Sequence, residues 1–214
     1  MDSQLTRVIA IRHGETDWNL ATRIQGQLDI GLNATGRWQA ARLASALADE
    51  ALDAVYASDL ARALETAQAV AGAAGLKVRT DKGLRERAFG VFEGMTFNEI
   101  EQRFPDQALR WRRRDPSFGP AGGEVLTAFY ERAVTSMESL AARHRGQHIA
   151  VVTHGGVLDA LYRAASRVPL DAPRSWQVAN ATINRLLGGD EGLMLVGWND
   201  DSHLGAEGLD DRST

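Results

Sequence analysis

The sequence predicts an α/β protein, a three-layer α/β/α sandwich around a mostly parallel central sheet. Two observations carry that expectation. Short apolar runs alternate with helix-like stretches from the first residues onward, the βαβ rhythm of a sheet built through crossovers. Two of those runs, Arg7 to Ile11 and Ile149 to Thr153, also end in a histidine followed by glycine, at His13-Gly14 and His154-Gly155. Open α/β sheets usually hold their ligands at the carboxyl ends of such strands.

The elements follow in order. After the first strand, Asn33-Ala34-Thr35-Gly36 precedes a helix expected over Arg37 to Glu50, with apolar residues at helical spacing. Asp53 to Ala57 reads as a buried strand, and Ser58 or Asp59 is placed to cap a helix from Leu60 to Ala73. Lys77 to Thr80 is a weaker third strand after Gly75. Thr96-Phe97-Asn98-Glu99 has the form of a capping box for a short helix ending near Phe104-Pro105. Arg110 to Gly123, rich in arginine, proline and glycine, suggests an excursion over the sheet.

Glu124 to Arg145 carries an apolar stripe through Leu126, Phe129, Ala133, Met137 and Leu140. A central strand to His154 and a helix from Val157 to Ala165 follow, and Ala181 to Leu187 with Leu193 to Trp198 suggest a final hairpin. One domain over residues 1–199 is expected, with a polar, acidic tail at 200–214.

Composition narrows the function. The chain of 214 residues is 44% hydrophobic and 24% charged, with formal charge -4, which argues against a nucleic-acid surface. It has no cysteine, so disulfides, a thiolate nucleophile and sulfur-held zinc are excluded. Residues 1–11 lack the basic head and apolar body of a signal peptide, and no run reaches about 18 apolar residues. A cytoplasmic protein without membrane or nucleic-acid partners is expected. An amphipathic helix face serves a core and a dimer seam alike, so a homodimer stays open.

The chemistry lies in the two histidines. A neutral imidazole is a competent nucleophile toward phosphorus, and Arg12 beside it supplies planar, permanently charged donors for phosphate oxygens. A lone Arg-His pair at a strand end carries little weight. If the two strands are neighbours, however, His13 and His154 face one crevice, and the second imidazole can donate to a transferring phosphoryl group. A metal held by both histidines with Glu86 or Asp17 is the rival explanation, weakened by the absence of an H-E-x-x-H context and by the adjacent arginine.

These segments resemble the histidine phosphatase superfamily that includes the phosphoglycerate mutases. The likeness runs through Arg12 to Asn19, Arg23-Ile24-Gln25-Gly26, Leu32 to Gly36, Ala57 to Ala63, Leu84-Arg85-Glu86 and Val152-Thr153-His154-Gly155. It implies a phosphoglycerate mutase-like fold, no metal and no cofactor. By that resemblance His13 is the nucleophile that becomes phosphohistidine, and Arg12, Arg62 and His154 form the phosphate pocket. Asn19, Gln25 and the Gly155 amide add hydrogen bonds, and Glu86 is the proton donor to the leaving oxygen.

Gly155-Gly156 and a short middle region resemble the phosphatase branch, whereas Trp111-Arg112-Arg113-Arg114 looks like the arginine-bearing substrate segment of the mutases. The expected activity is a metal-independent phosphatase acting on a small phosphorylated metabolite. A phosphoglycerate mutase and a catalytically quiet phosphate-binding module are the alternatives.

Overall fold

A computed structural model describes residues 5–205. Its centre is strand β1 (Thr6–Arg12), whose Val8, Ile9, Ala10 and Ile11 are all buried, as a strand covered on both faces requires. Helix α1 (Asp17–Leu20) is a single turn closed by a capping box between Thr16 and Asn19. Helix α2 (Ala34–Ala46) begins three residues earlier than the sequence pattern suggests, because the Asn33 side chain accepts from the Gly36 N–H. Strand β2 (Ala54–Ala57), helix α3 (Ala61–Ala73) and strand β3 (Val78–Thr80) complete a crossover unit. The cap of α3 is not local: Asp59 is paired with Arg85, and the Ala61 N–H donates instead to Asp29 Oδ1 at 2.7 Å.

The middle of the chain holds α4 (Phe97–Arg103), capped by Thr96 and Glu99 as expected, and a second helix, α5 (Pro105–Arg112). Pro105 ends α4 and also starts α5, since proline is tolerated in the first helical turn. The expected excursion is therefore helical up to Arg112. Phe92, Ile100, Ala108 and Phe118 form a small separate core beneath these helices, against which Phe97, Phe104 and Trp111 pack.

Helix α6 (Leu126–Arg143), strand β4 (His148–Thr153), helix α7 (Gly155–Ser166) and the hairpin of β5 (Ile183–Gly189) and β6 (Gly192–Asp200) follow. The sheet order is β3-β2-β4-β1-β5-β6. The first four strands pair in parallel, and β5 and β6 are antiparallel additions at one side. Helices α2 and α3 cover one face through Leu43, Leu47, Ala67 and Val70. Helices α6 and α7 cover the other through Phe129, Met137, Leu158 and Leu161. The result is the α/β/α sandwich that the sequence predicts.

At the C-terminal end of the sheet domain, Ser202–Leu204 forms a 3-10 turn, and the His203 carbonyl accepts from Arg42 of α2. Residues 206–214 of the expected acidic tail lie outside the described residues. Among the described residues no helix is long and apolar enough to cross a membrane.

The register sets the position of the site. Arg12 lies opposite Thr153, and the His13 N–H donates to the Thr153 carbonyl at 3.0 Å. Both His-Gly turns are thus brought side by side at the carboxyl ends of adjacent central strands.

Candidate active site

His13 and His154 meet edge to face, with ring centroids 5.2 Å apart and both rings buried. His13 Nδ1 lies 2.7 Å from its neighbour's carbonyl, Gly14 O. Only an N–H can be shared with a carbonyl, so this contact places the proton on Nδ1 and leaves the Nε2 lone pair uncommitted. Burial, reinforced by the charges of Arg62 and Arg12, holds the His13 pKa well below its usual value. His154 is lowered in the same way, first by burial and then by Arg62, and neither of its nitrogens has a partner among the described residues. Both imidazoles are therefore neutral at neutral pH.

A cavity of about 320 Å³ opens beside them. Of the expected site residues, Arg12, His13, Asn19, Gln25, Arg62, Glu86, Gly155 and Arg114 line it. His154 is not among the lining residues but stands directly beside His13, edge to face. Arg62 is 1% exposed, and its two terminal nitrogens donate to Leu28 O and Gly26 O at 2.9 and 2.8 Å. Arg12 is anchored on Val178 O. In both arginines Nε is buried without a partner among the described residues, so each guanidinium keeps an unused donor there. Burial brings the Arg12 pKa down to about 10, which leaves it charged at neutral pH.

Glu86 follows a 3-10 turn at Lys82–Leu84. Its carboxylate accepts from the Arg87 N–H at 2.8 Å and from the Gly156 N–H, in the first turn of α7, at 2.9 Å. Its carbonyl is held by Gln27 and Arg132. The flanking Arg85 is drawn off to Asp59, in two contacts of 2.6 Å. Arg87 is fixed on the carbonyls of Phe118 and Glu124 but still lines the cavity. Asn19 commits its side-chain oxygen to Thr16, and the Gln25 side-chain oxygen is buried without a partner.

The structure corrects one expectation. Arg112 and Arg113 do not line the cavity: both are exposed on the outer side of α5, where Arg112 pairs with Glu101. Arg114, beyond the end of α5 and at positive φ, leaves the helical path, and it alone of the arginine run turns inward and pairs with Asp159 at 2.7 Å. Gly14 has a packing reason to be glycine. Its N–H donates to Thr66, and a β-carbon would lie 2.4 Å from Gly36 O, so it is required by the packing of α2. Asp17, of the rival metal set, does not line the cavity, and among the described residues no three His, Asp or Glu side chains gather as metal ligands.

Sequence reasoning missed Arg23, Arg87, Asp159 and Arg174, all of which line the cavity. Asp159 left the clearest trace, as an acid four residues before Arg163 in an otherwise apolar helix. The other three are single arginines in loops or turns without local pattern.

Known proteins resemble this chain over most of its length. The family model of the histidine phosphatase superfamily (branch 1) matches residues 8–201. Phosphoglycerate mutase-like protein 4 of Arabidopsis thaliana is 40% identical, over 97% of this chain and 91% of that protein. The metal-independent phosphoserine phosphatase of the same plant is 35% identical, over 98% and 87%. The solved structure of a mycobacterial glucosyl-3-phosphoglycerate phosphatase complexed with VO3 superposes with a TM-score of 0.81 at 33% identity, covering 91% of this chain and 99% of that one. The chain belongs to branch 1 of the histidine phosphatase superfamily, as an enzyme of phosphoryl transfer.

Proposed function

We propose that this phosphatase hydrolyses a small phosphomonoester metabolite, without a metal, through a phosphohistidine formed on His13. The observation that carries this reading is the 2.7 Å contact between His13 Nδ1 and Gly14 O, which leaves Nε2 as the nucleophilic nitrogen. Nε2 attacks phosphorus in line and the bond to the ester oxygen breaks. Glu86 gives that oxygen a proton. The unused Nε donors of Arg12 and Arg62 suit the equatorial oxygens, where charge is stabilised in a buried setting. Neutral His154, with no partner for either nitrogen among the described residues, can donate to the same group.

In the second step Glu86, now a carboxylate, takes a proton from water. The water oxygen bonds to phosphorus as the N–P bond breaks, which releases inorganic phosphate and restores neutral His13. Hydrolysis is favoured over a mutase cycle by the position of Arg112 and Arg113. A mutase must grip a phosphoglycerate while it reorients, and these two cations are spent on the exterior. The relatives named phosphoserine phosphatase and glucosyl-3-phosphoglycerate phosphatase support hydrolysis of a small phosphorylated metabolite, while others carry the phosphoglycerate mutase name.

The test is a phosphomonoester panel including 3-phosphoglycerate, with free phosphate and phosphoglycerate isomers followed together in the presence of a chelator. Phosphate release with an acid-labile phosphoenzyme is expected. Isomerisation much faster than release would assign a mutase, and full turnover by His13→Ala would exclude the covalent step. Binding without turnover across the panel would leave a phosphate-binding module.

A further inference from the structure

Among the described residues, several buried polar atoms around the cavity lack a partner. Next to His13 these are the donors Arg12 Nε and Arg62 Nε, and Gln25 Oε1 is an acceptor in the same lining. On the wall formed by α7 there is an acceptor, Asp159 Oδ1. Asp159 stands four residues after Gly155, so the two share one helix face with their backbones about 6 Å apart. The side chain is nine-tenths buried.

Its other oxygen performs the whole structural task. Oδ2 accepts from Arg114 at 2.7 Å and from Arg163 at 3.0 Å. Arg163 in turn holds Pro169 O and stacks over Trp176, and Arg114 also holds Leu170 O. The segment after α7 is thus tied down without Oδ1. A buried carboxylate oxygen left without a donor costs free energy, and an ionised carboxylate can only accept.

We propose that Asp159 is a specificity residue whose Oδ1 accepts a hydrogen bond from a hydroxyl of the leaving alcohol, which makes polyol and sugar phosphoesters the preferred substrate class. The charge around the cavity selects hydroxyl over ammonium. Among the described residues, Arg12, Arg23, Arg62, Arg87, Arg114 and Arg174 line it against Glu86 and Asp159, and that cation excess repels an amino alcohol. A simple alkanol would leave Oδ1 unpaired, the kind of mismatch that polar sites reject most strongly. The inference rests on the phosphatase reading above.

The test compares kcat/KM for glycerol 3-phosphate, n-propyl phosphate and phosphoethanolamine, with p-nitrophenyl phosphate as a reference ester, in the wild-type chain and in Asp159→Asn. Asparagine keeps an oxygen for the two arginines and puts an amide N–H2 in place of Oδ1. The wild type should favour glycerol 3-phosphate over n-propyl phosphate at least tenfold, and Asp159→Asn should shrink that ratio at least fivefold. An unchanged ratio overturns the proposal, and so does a wild-type preference for phosphoethanolamine. If the variant fails to fold, the wild-type ratio decides, and a value near one overturns it. Absence of release from every ester, the reference included, would instead fall on the phosphatase reading and remove this inference with it.

Discussion

Gly156 and Glu86 are in a contact that admits no side chain: the Gly156 N–H donates to Oε2 at 2.9 Å, and a β-carbon at 156 would lie 2.2 Å from Oε1. The obstructing atom is the end of a side chain that can swing away, so Gly156→Ala should displace Glu86, the acid of the proposed cycle, rather than unfold the helix. In an α-helix the same change ordinarily stabilises, by about 0.5–1 kcal/mol. The expected result is a kcat lowered roughly 10- to 100-fold, since a positioned general acid contributes about 10²–10⁴, with an undiminished unfolding temperature. A fall in both would mark Gly156 as a packing residue only.

Arg62 offers a second test, because its guanidinium is fixed by two backbone carbonyls before any substrate arrives. Lysine keeps the charge but cannot hold both carbonyls in one plane and still offer a third donor. Arg62→Lys should lower kcat/KM by about 100-fold, or roughly 2.7 kcal/mol of transition-state stabilisation. Steady-state kinetics near wild type would show that charge alone suffices there.

Much of this site was legible in the sequence because its centre lies on elements with strong local patterns. The apolar runs of β1 and β4 fix two neighbouring strands, and register then brings His13 beside His154. The periphery was less legible. Asp29 caps α3 across 32 residues, and Arg87 and Arg174 reach the cavity from loops, relations that no window of sequence displays. Pro105 misled in a different way: a residue that stops one helix and opens the next reads as a terminator alone. Within Arg110 to Arg114 the composition was visible but the facing was not. Only Arg114 turns inward, at positive φ just past the end of α5.

That facing sets a third prediction. Arg112 pairs with Glu101 with both side chains about half exposed, and such surface pairs contribute only about 0–1 kcal/mol. Arg112→Ala and Arg113→Ala should leave kcat/KM within about twofold by that estimate. Arg114→Ala removes a cavity cation and leaves Asp159 with one arginine, so KM should rise several-fold or more. Phosphate-release assays on the three variants check this, and equal losses at all three would return the whole arginine run to the substrate.

The buried histidines also make stability depend on pH, with a sign fixed by their lowered pKa values. His13 and His154 are held neutral in the folded chain, well below the 6.5 of an unperturbed imidazole. The unfolded state therefore binds more protons below pH 6.5, and stability must fall as pH drops from there toward the folded values. Each histidine contributes a slope of about 1.4 kcal/mol per pH unit in that window. His148 and His203 are lowered too, so the informative quantity is a difference between variants. Denaturant unfolding between pH 5 and 6.5 should show a slope shallower by about one proton in His154→Asn than in wild type. The lowered carboxylates Asp59 and Glu124 start from 3.8 and 4.5 and act below this window. Inorganic phosphate should flatten the wild-type slope, because a bound anion beside His154 favours its protonated form. Equal slopes in the two proteins would mean that His154 is solvated and free to titrate, and the neutral pair at the centre of the mechanism would have to be abandoned.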